Sequence, residues 1–131
     1  MTENNQDIES EFPPLPCSKI VYRALNKKSW INGDTGQILP SAFELRKHRQ
    51  ETGISVNTIS PQDCVSKFNR CRFVASLHVG TVRDLGLDVI QDKHNHADII
   101  GLPYQEDNVA ESERLRGLLA NKSRIIQVDK S

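Results

Sequence analysis

Residues 53–79, GISVNTISPQDCVSKFNRCRFVASLHV, carry the pattern that decides the fold. Their first part alternates apolar and polar side chains. Ile54, Val56 and Thr58 fall on one face and Ser55 and Asn57 on the other, the period of a half-buried strand. Ser60-Pro61-Gln62-Asp63 then announces a helix, with a capping serine, proline at the first helical position and an acid in the first turn. Cys64, Val65, Phe68 and Cys71 follow at i, i+1, i+4 and i+7, one helical face, which predicts both cysteines in the core. Phe73–Val79 reads as another strand, ended or bulged by Gly80.

Upstream, Lys19–Leu25 has the β-branched and aromatic content of a first strand, interrupted by Arg23. Asn32-Gly33-Asp34-Thr35-Gly36 has strong turn chemistry and can join Trp30-Ile31 to Gln37-Ile38-Leu39. Ser41 and Glu44 have capping-box spacing, so a short helix or a polar loop is expected from there to Thr52. Downstream come strands at Leu87–Ile90 and Ala97–Pro103. Asn108 and Glu111 open a helix with a Leu115, Leu118 and Leu119 stripe, and Ile125–Val128 can close the sheet. The βαβ rhythm of a doubly wound fold is not sustained. The pattern predicts an α+β domain: one small, mostly antiparallel or mixed sheet with two principal helices.

A chain of 131 residues fits one domain. Residues 1–16, with four acids, no base and Pro13-Pro14-Leu15-Pro16, read as a flexible acidic and proline-rich lead-in to a domain over 17–131. The PxxP spacing there reads as a stiff stop before the first strand rather than a ligand for a proline-binding module. No apolar run approaches the roughly 20 residues of a membrane span, and the acidic start is unlike a signal peptide. Cys17, Cys64 and Cys71 form neither an even set nor a CxxC pair, which fits reduced thiols in the cytoplasm. Seventeen basic and seventeen acidic residues cancel, so there is no general nucleic-acid signal. Arg46-Lys47-His48-Arg49 and Lys67, Arg70 and Arg72 are local basic clusters, of the kind that are more often solvated surface.

Phosphate-loop, dinucleotide, GxSxG and HExxH motifs are absent. Cys71 lies between two arginines that would favour a thiolate, but its helical phase favours burial. Asp92-Lys93-His94-Asn95-His96-Ala97-Asp98 is rich in metal-ligand types, with His94 and His96 the candidate ligands; such a stretch is more often a surface turn leading into a strand. The remaining site candidates are Arg23, Trp30, Phe43, Ser55 and Asn57. An arginine on a strand is more often an edge residue or ion-pair member, yet its planar fork suits a phosphate or pyrophosphate.

The run YRAL…W…GQILPSAF…GISV, then HADIIGLP, resembles a group of small uncharacterised bacterial proteins, over residues 20 to about 103, and implies no activity. A second likeness is to the ADP-ribosyltransferase fold in its small bacterial versions, on Tyr22-Arg23 in the first strand and Ser55 ahead of the Ser60 helix. That resemblance implies NAD as substrate, Arg23 on its diphosphate or ribose and Ser55 at the nicotinamide end. It also calls for a glutamate or glutamine at a third position, for which Gln91, His96 and Glu106 are the candidates. Two functions are therefore expected: an accessory domain of a bacterial cytoplasmic system, binding a protein partner, or a small NAD-using enzyme of transferase type, a toxin component included.

Overall fold

The computed structural model describes residues 12–129, so the acidic stretch before Phe12 lies outside the described residues. In chain order the strands are β1 (Ile20–Ala24), β2 (Ile54–Asn57), β3 (Phe73–His78), β4 (Asp88–Lys93), β5 (His96–Ile100) and β6 (Arg124–Gln127). They form one six-stranded sheet, ordered β4-β5-β2-β1-β3-β6, in which every pairing is antiparallel. Three α-helices join it: α1 (Pro61–Val65), α2 (Val79–Asp84) and α3 (Val109–Lys122). The α+β class with a mostly antiparallel sheet is the observed one. No helix among the described residues is long and apolar enough to cross a membrane.

Strand alternation divides the core. β2 sets Ile54 against Ile99 and Val56 against Ala97, and these four join Val21, Ala75, Leu77 and Val89 in the larger cluster. Val79 and Val82 of α2, Leu115 and Leu119 of α3, and Phe43 cover that side. On the other side, Cys64 and Val65 of α1 pack with Cys71 on Ala24 and Val74 at one end of the sheet. The middle of that side carries Ser55, Asp98 and His96 instead, polar groups that no apolar layer covers. The sheet is therefore closed on one face and half open on the other.

Leu15 is buried in the larger cluster and its carbonyl accepts from Arg83 at 2.7 Å, so the chain is tied to the sheet ahead of Cys17. Residues 32–36 turn as their chemistry requires: Asn32 Oδ1 accepts from the amides of Asp34 and Thr35, and Gly36 has a φ of +74°. Ile31 and Ile38 meet across the turn as a single bridge. No continuous helix follows Ser41. Two 3-10 turns, Pro40–Phe43 and Lys47–Arg49, replace it, because RKHRQE has no apolar face to pack. Glu44 does not close a capping box; it faces the buried Arg116 of α3 at 3.5 Å.

The Ser60 cap forms, with its hydroxyl accepting from the Asp63 amide at 3.0 Å. The helix stops at Val65, short of Cys71, although Cys71 stays buried beside Cys64. α2 has no counterpart in the sequence reading, which put only the end of a strand at Val79 and Gly80 there. Its VGTVRD has poor helix propensity and no side-chain cap; fully buried Val79 and Val82, one turn apart, hold it by packing. β5 begins at His96, one residue earlier than expected, and α3 buries Leu115, Leu119 and Ala120 but leaves Leu118 half-buried.

Phe43 is 0% exposed at the centre of the larger cluster. Phe43→Ala is expected to cost about 3–5 kcal/mol, the usual price of an aromatic core truncation, read as a lowered urea midpoint. A loss below about 1 kcal/mol would be that of a surface position and would take Phe43 out of the core.

Candidate functional site

Where β1 meets β2 the ladder consists of one pair, Tyr22 opposite Asn57. A continued antiparallel register would set Ala24 opposite Ser55, and no such pair forms. The Arg23 guanidinium stands there instead. Its Nη1 donates to the Ser55 carbonyl at 3.1 Å and its Nε to the Ala42 carbonyl at 3.0 Å. A cleft of about 440 Å³ opens at this point, within the usual size for a small-molecule site.

Arg23, Trp30, Ser55, Asn57 and His96 all line the cleft. Phe43 does not, being buried in the core. Arg23 and Ser55 do not share a strand face. Pairing places Ser55 and Asn57 on the side of Tyr22, and Arg23 falls on the filled side with Val21. They meet because the ladder stops, and the Ser55 atom involved is the carbonyl, while its exposed side chain faces the cleft. Asn57 is largely committed to structure. Its Oδ1 accepts from the amides of Ile59 and Ser60, and its Nδ2 donates to Asp63 at 2.7 Å, which holds that carboxyl below its usual range.

The charges are the feature that sequence reading missed. Five cations, Arg23, Lys27, Arg46, Arg49 and Lys67, line the cleft against one carboxylate, Glu51, in a chain whose total charge is zero. The two basic clusters read as surface each contribute here, Arg46 and Arg49 from one and Lys67 from the other. They come from segments about 20 residues apart, joined only by the fold. A second cavity, of about 480 Å³ between residues 35–40 and the end of α3, has no charged lining residue.

Glu51 is already engaged. It accepts from the Arg46 amide at 2.7 Å and from the Arg46 guanidinium at 3.1 and 2.6 Å, which holds its carboxyl below the usual range. The loop that carries them is pinned by the Tyr104 hydroxyl on the Glu51 carbonyl at 2.6 Å and by Lys47 on Asp107 at 2.6 Å. Arg23, Lys27, Arg49 and Lys67 make no ion pair with a carboxylate among the described residues. Burial brings Arg23 down to about 10, offset in part by Glu51, so it stays charged at neutral pH. Its guanidinium lies 4.9 Å from the Trp30 ring centroid, and the Lys27 ammonium lies 5.5 Å from the same ring.

His96 and His94 are not brought together. His94 is exposed in the β4–β5 turn, where its carbonyl accepts from Thr58 Oγ1 at 2.9 Å. His96 stands on β5 with Nδ1 2.6 Å from Asp92 and Nε2 3.8 Å from Asp98, whose carboxyl is raised by burial. Cys71 is buried away from any substrate, and burial pushes the neighbouring Cys64 thiol up to about 12, so Cys64 is no thiolate nucleophile.

Because Glu51 has a lower carboxyl pKa in the folded chain than in the unfolded one, its pairing stabilises the fold above the unfolded value. That contribution is lost as pH falls through the depressed folded value. Glu51→Gln is expected to lower stability near neutral pH by about 0.5–1 kcal/mol, a small effect because solvent screens the pair. The variant should match wild type once both are titrated in acid, as compared by urea midpoints at either end. An equal penalty at both ends would show that ionisation of Glu51 contributes nothing.

No protein-family model matches the chain, and neither a curated protein nor a solved structure is recognisably similar to it.

Proposed function

We propose that the chain is a ligand-binding domain whose Arg23 cleft takes a small molecule bearing a phosphate or pyrophosphate group. Arg23 carries the reading. A guanidinium has five N–H donors, and among the described residues only two are directed to protein acceptors, both of them neutral carbonyls. A cation partly withdrawn from water, as half-buried Arg23 is, carries a cost that Glu51, already engaged by Arg46, offsets only in part. Here it stands among three further cations that also lack an ion-pair partner, a field that favours an anion entering the cleft. The planar fork matches paired phosphate oxygens, and Trp30 adds an aromatic wall beside it.

NAD is the dinucleotide form of such a ligand, and the resemblance to small ADP-ribosyltransferases puts it among the first to try. Of Gln91, His96 and Glu106, only His96 lines the cleft. A domain of this kind also suits an accessory role, in which ligand occupancy is passed to a protein partner.

Trp30 is the sole tryptophan, so its emission reports on the cleft directly. Titration with inorganic pyrophosphate, ADP and NAD should change that emission saturably for at least one of them, more tightly at low salt. Arg23→Gln should weaken binding about tenfold or more, the loss of a charged hydrogen bond. Exposed Lys27→Gln should weaken it by less. Absence of saturable binding by both emission and calorimetry, or unchanged affinity in Arg23→Gln, would refute the proposal.

A further inference from the structure

Beside the cleft, which His96 of β5 lines, β4 and β5 slip register by one residue. Gln91 faces Ala97 and Lys93 faces His96, so Asp92 is the extra residue of a β-bulge. Bulges re-aim a side chain, and here Asp92 Oδ1 comes to 2.6 Å from His96 Nδ1. Asp98, two residues further along β5, projects to the same side as His96. One ligand atom from each of Asp92, His96 and Asp98 lies within 4.8 Å of the other two. Asp98 is held there by close packing, since a Cβ at Gly53 would stand 2.7 Å from the Asp98 Cβ. It has no lysine or arginine ion-pair partner among the described residues.

We infer that Asp92, His96 and Asp98 hold a first-row divalent metal ion at the mouth of the Arg23 cleft, and that a bound phosphate completes its coordination. The second part rests on the function proposed above. His96 Nε2 and Asp98 Oδ1 are 3.8 Å apart, a span that one ion about 2.0–2.2 Å from each can bridge. Asp92 on Nδ1 fixes the ring, as a carboxylate behind a ligating histidine does, and becomes a third ligand only by leaving Nδ1. One imidazole with two carboxylates suits Mn²⁺ or Zn²⁺ better than Ca²⁺, which takes oxygen ligands alone. His96 also lines the cleft in which half-buried Arg23 lacks an ion-pair partner among the described residues, so metal and guanidinium can approach one phosphate group from two sides.

The test is binding of Mn²⁺ to the full chain, followed by loss of the free-ion EPR signal, with Zn²⁺ as competitor. Wild type should bind one ion. His96→Ala and Asp98→Asn should each weaken binding at least about tenfold, whereas His94→Ala, at the exposed turn, should leave it unchanged. Circular dichroism and urea midpoints establish that each variant is folded. Should Asp98→Asn fail to fold, His96→Ala against His94→Ala decides. No binding of either metal to wild type, or equal weakening by His94→Ala and His96→Ala, would overturn the site. Pyrophosphate added to the metal-loaded protein should tighten Mn²⁺ binding, and EDTA should weaken pyrophosphate binding in turn. Pyrophosphate binding without metal binding overturns this inference alone and leaves the Arg23 cleft standing. Metal binding without any pyrophosphate binding refutes the anion cleft, overturns the phosphate bridge and retains the metal site.

Discussion

The structure turns on one guanidinium held where two strands would otherwise pair. β1 and β2 meet at Tyr22 and Asn57, and beyond that pair the Ser55 carbonyl is satisfied by Arg23 rather than by the neighbouring strand. The carbonyl of Ala42 anchors the same side chain from the filled side of the sheet. A cation so placed interrupts the ladder, opens the cleft and sets its charge together. Its desolvation weighs against folding, a common trade between stability and binding. Trp30 softens that cost through its ring face.

Around this point the sheet sets two unlike groups of side chains next to each other. Arg23, Lys27, Arg46, Arg49 and Lys67 make the cleft positive, and His96, which also lines it, stands in a cluster with Asp92 and Asp98 outside the lining. Both groups are open because the second face of the sheet is only half covered. α1 seals the stretch over Ala24 and Val74, and no apolar layer covers Ser55, His96 and Asp98. The apolar stripe suggested a helix continuing to Cys71. The chain turns instead at Phe68, whose amide donates to the Val65 carbonyl at 3.0 Å.

Most of the fold was legible because burial leaves a period in the sequence. The Ile54 and Val56 alternation, the Ser60 and Asn108 caps and the Asn32 turn all took the forms that their residues favour. What was not legible was decided by distant contacts. α2 is a helix because Val79 and Val82 are packed as one, against the preference of its residues. The site was read in the same uneven way. Arg23, Trp30, Ser55 and Asn57 were singled out one by one and do line a single cleft, but Phe43 belongs to the core. The convergence of Arg46, Arg49 and Lys67 had no local signal, since charge clusters look the same whether they face solvent or a cleft. Asp92 was within the stretch singled out for metal-ligand types, yet only the bulge shows why it rather than His94 stands beside His96.

The central claim is that the half-buried Arg23 guanidinium awaits an anion. Its Nε–H is hydrogen-bonded to the Ala42 carbonyl, which slows its exchange with water and makes its ¹⁵N–¹H resonance observable near neutral pH. Following that resonance while inorganic pyrophosphate is added tests the claim at the atom concerned. The account predicts a saturable shift that parallels the change in Trp30 emission. A resonance that stays fixed while pyrophosphate saturates, or while the exposed arginines alone respond, would contradict it.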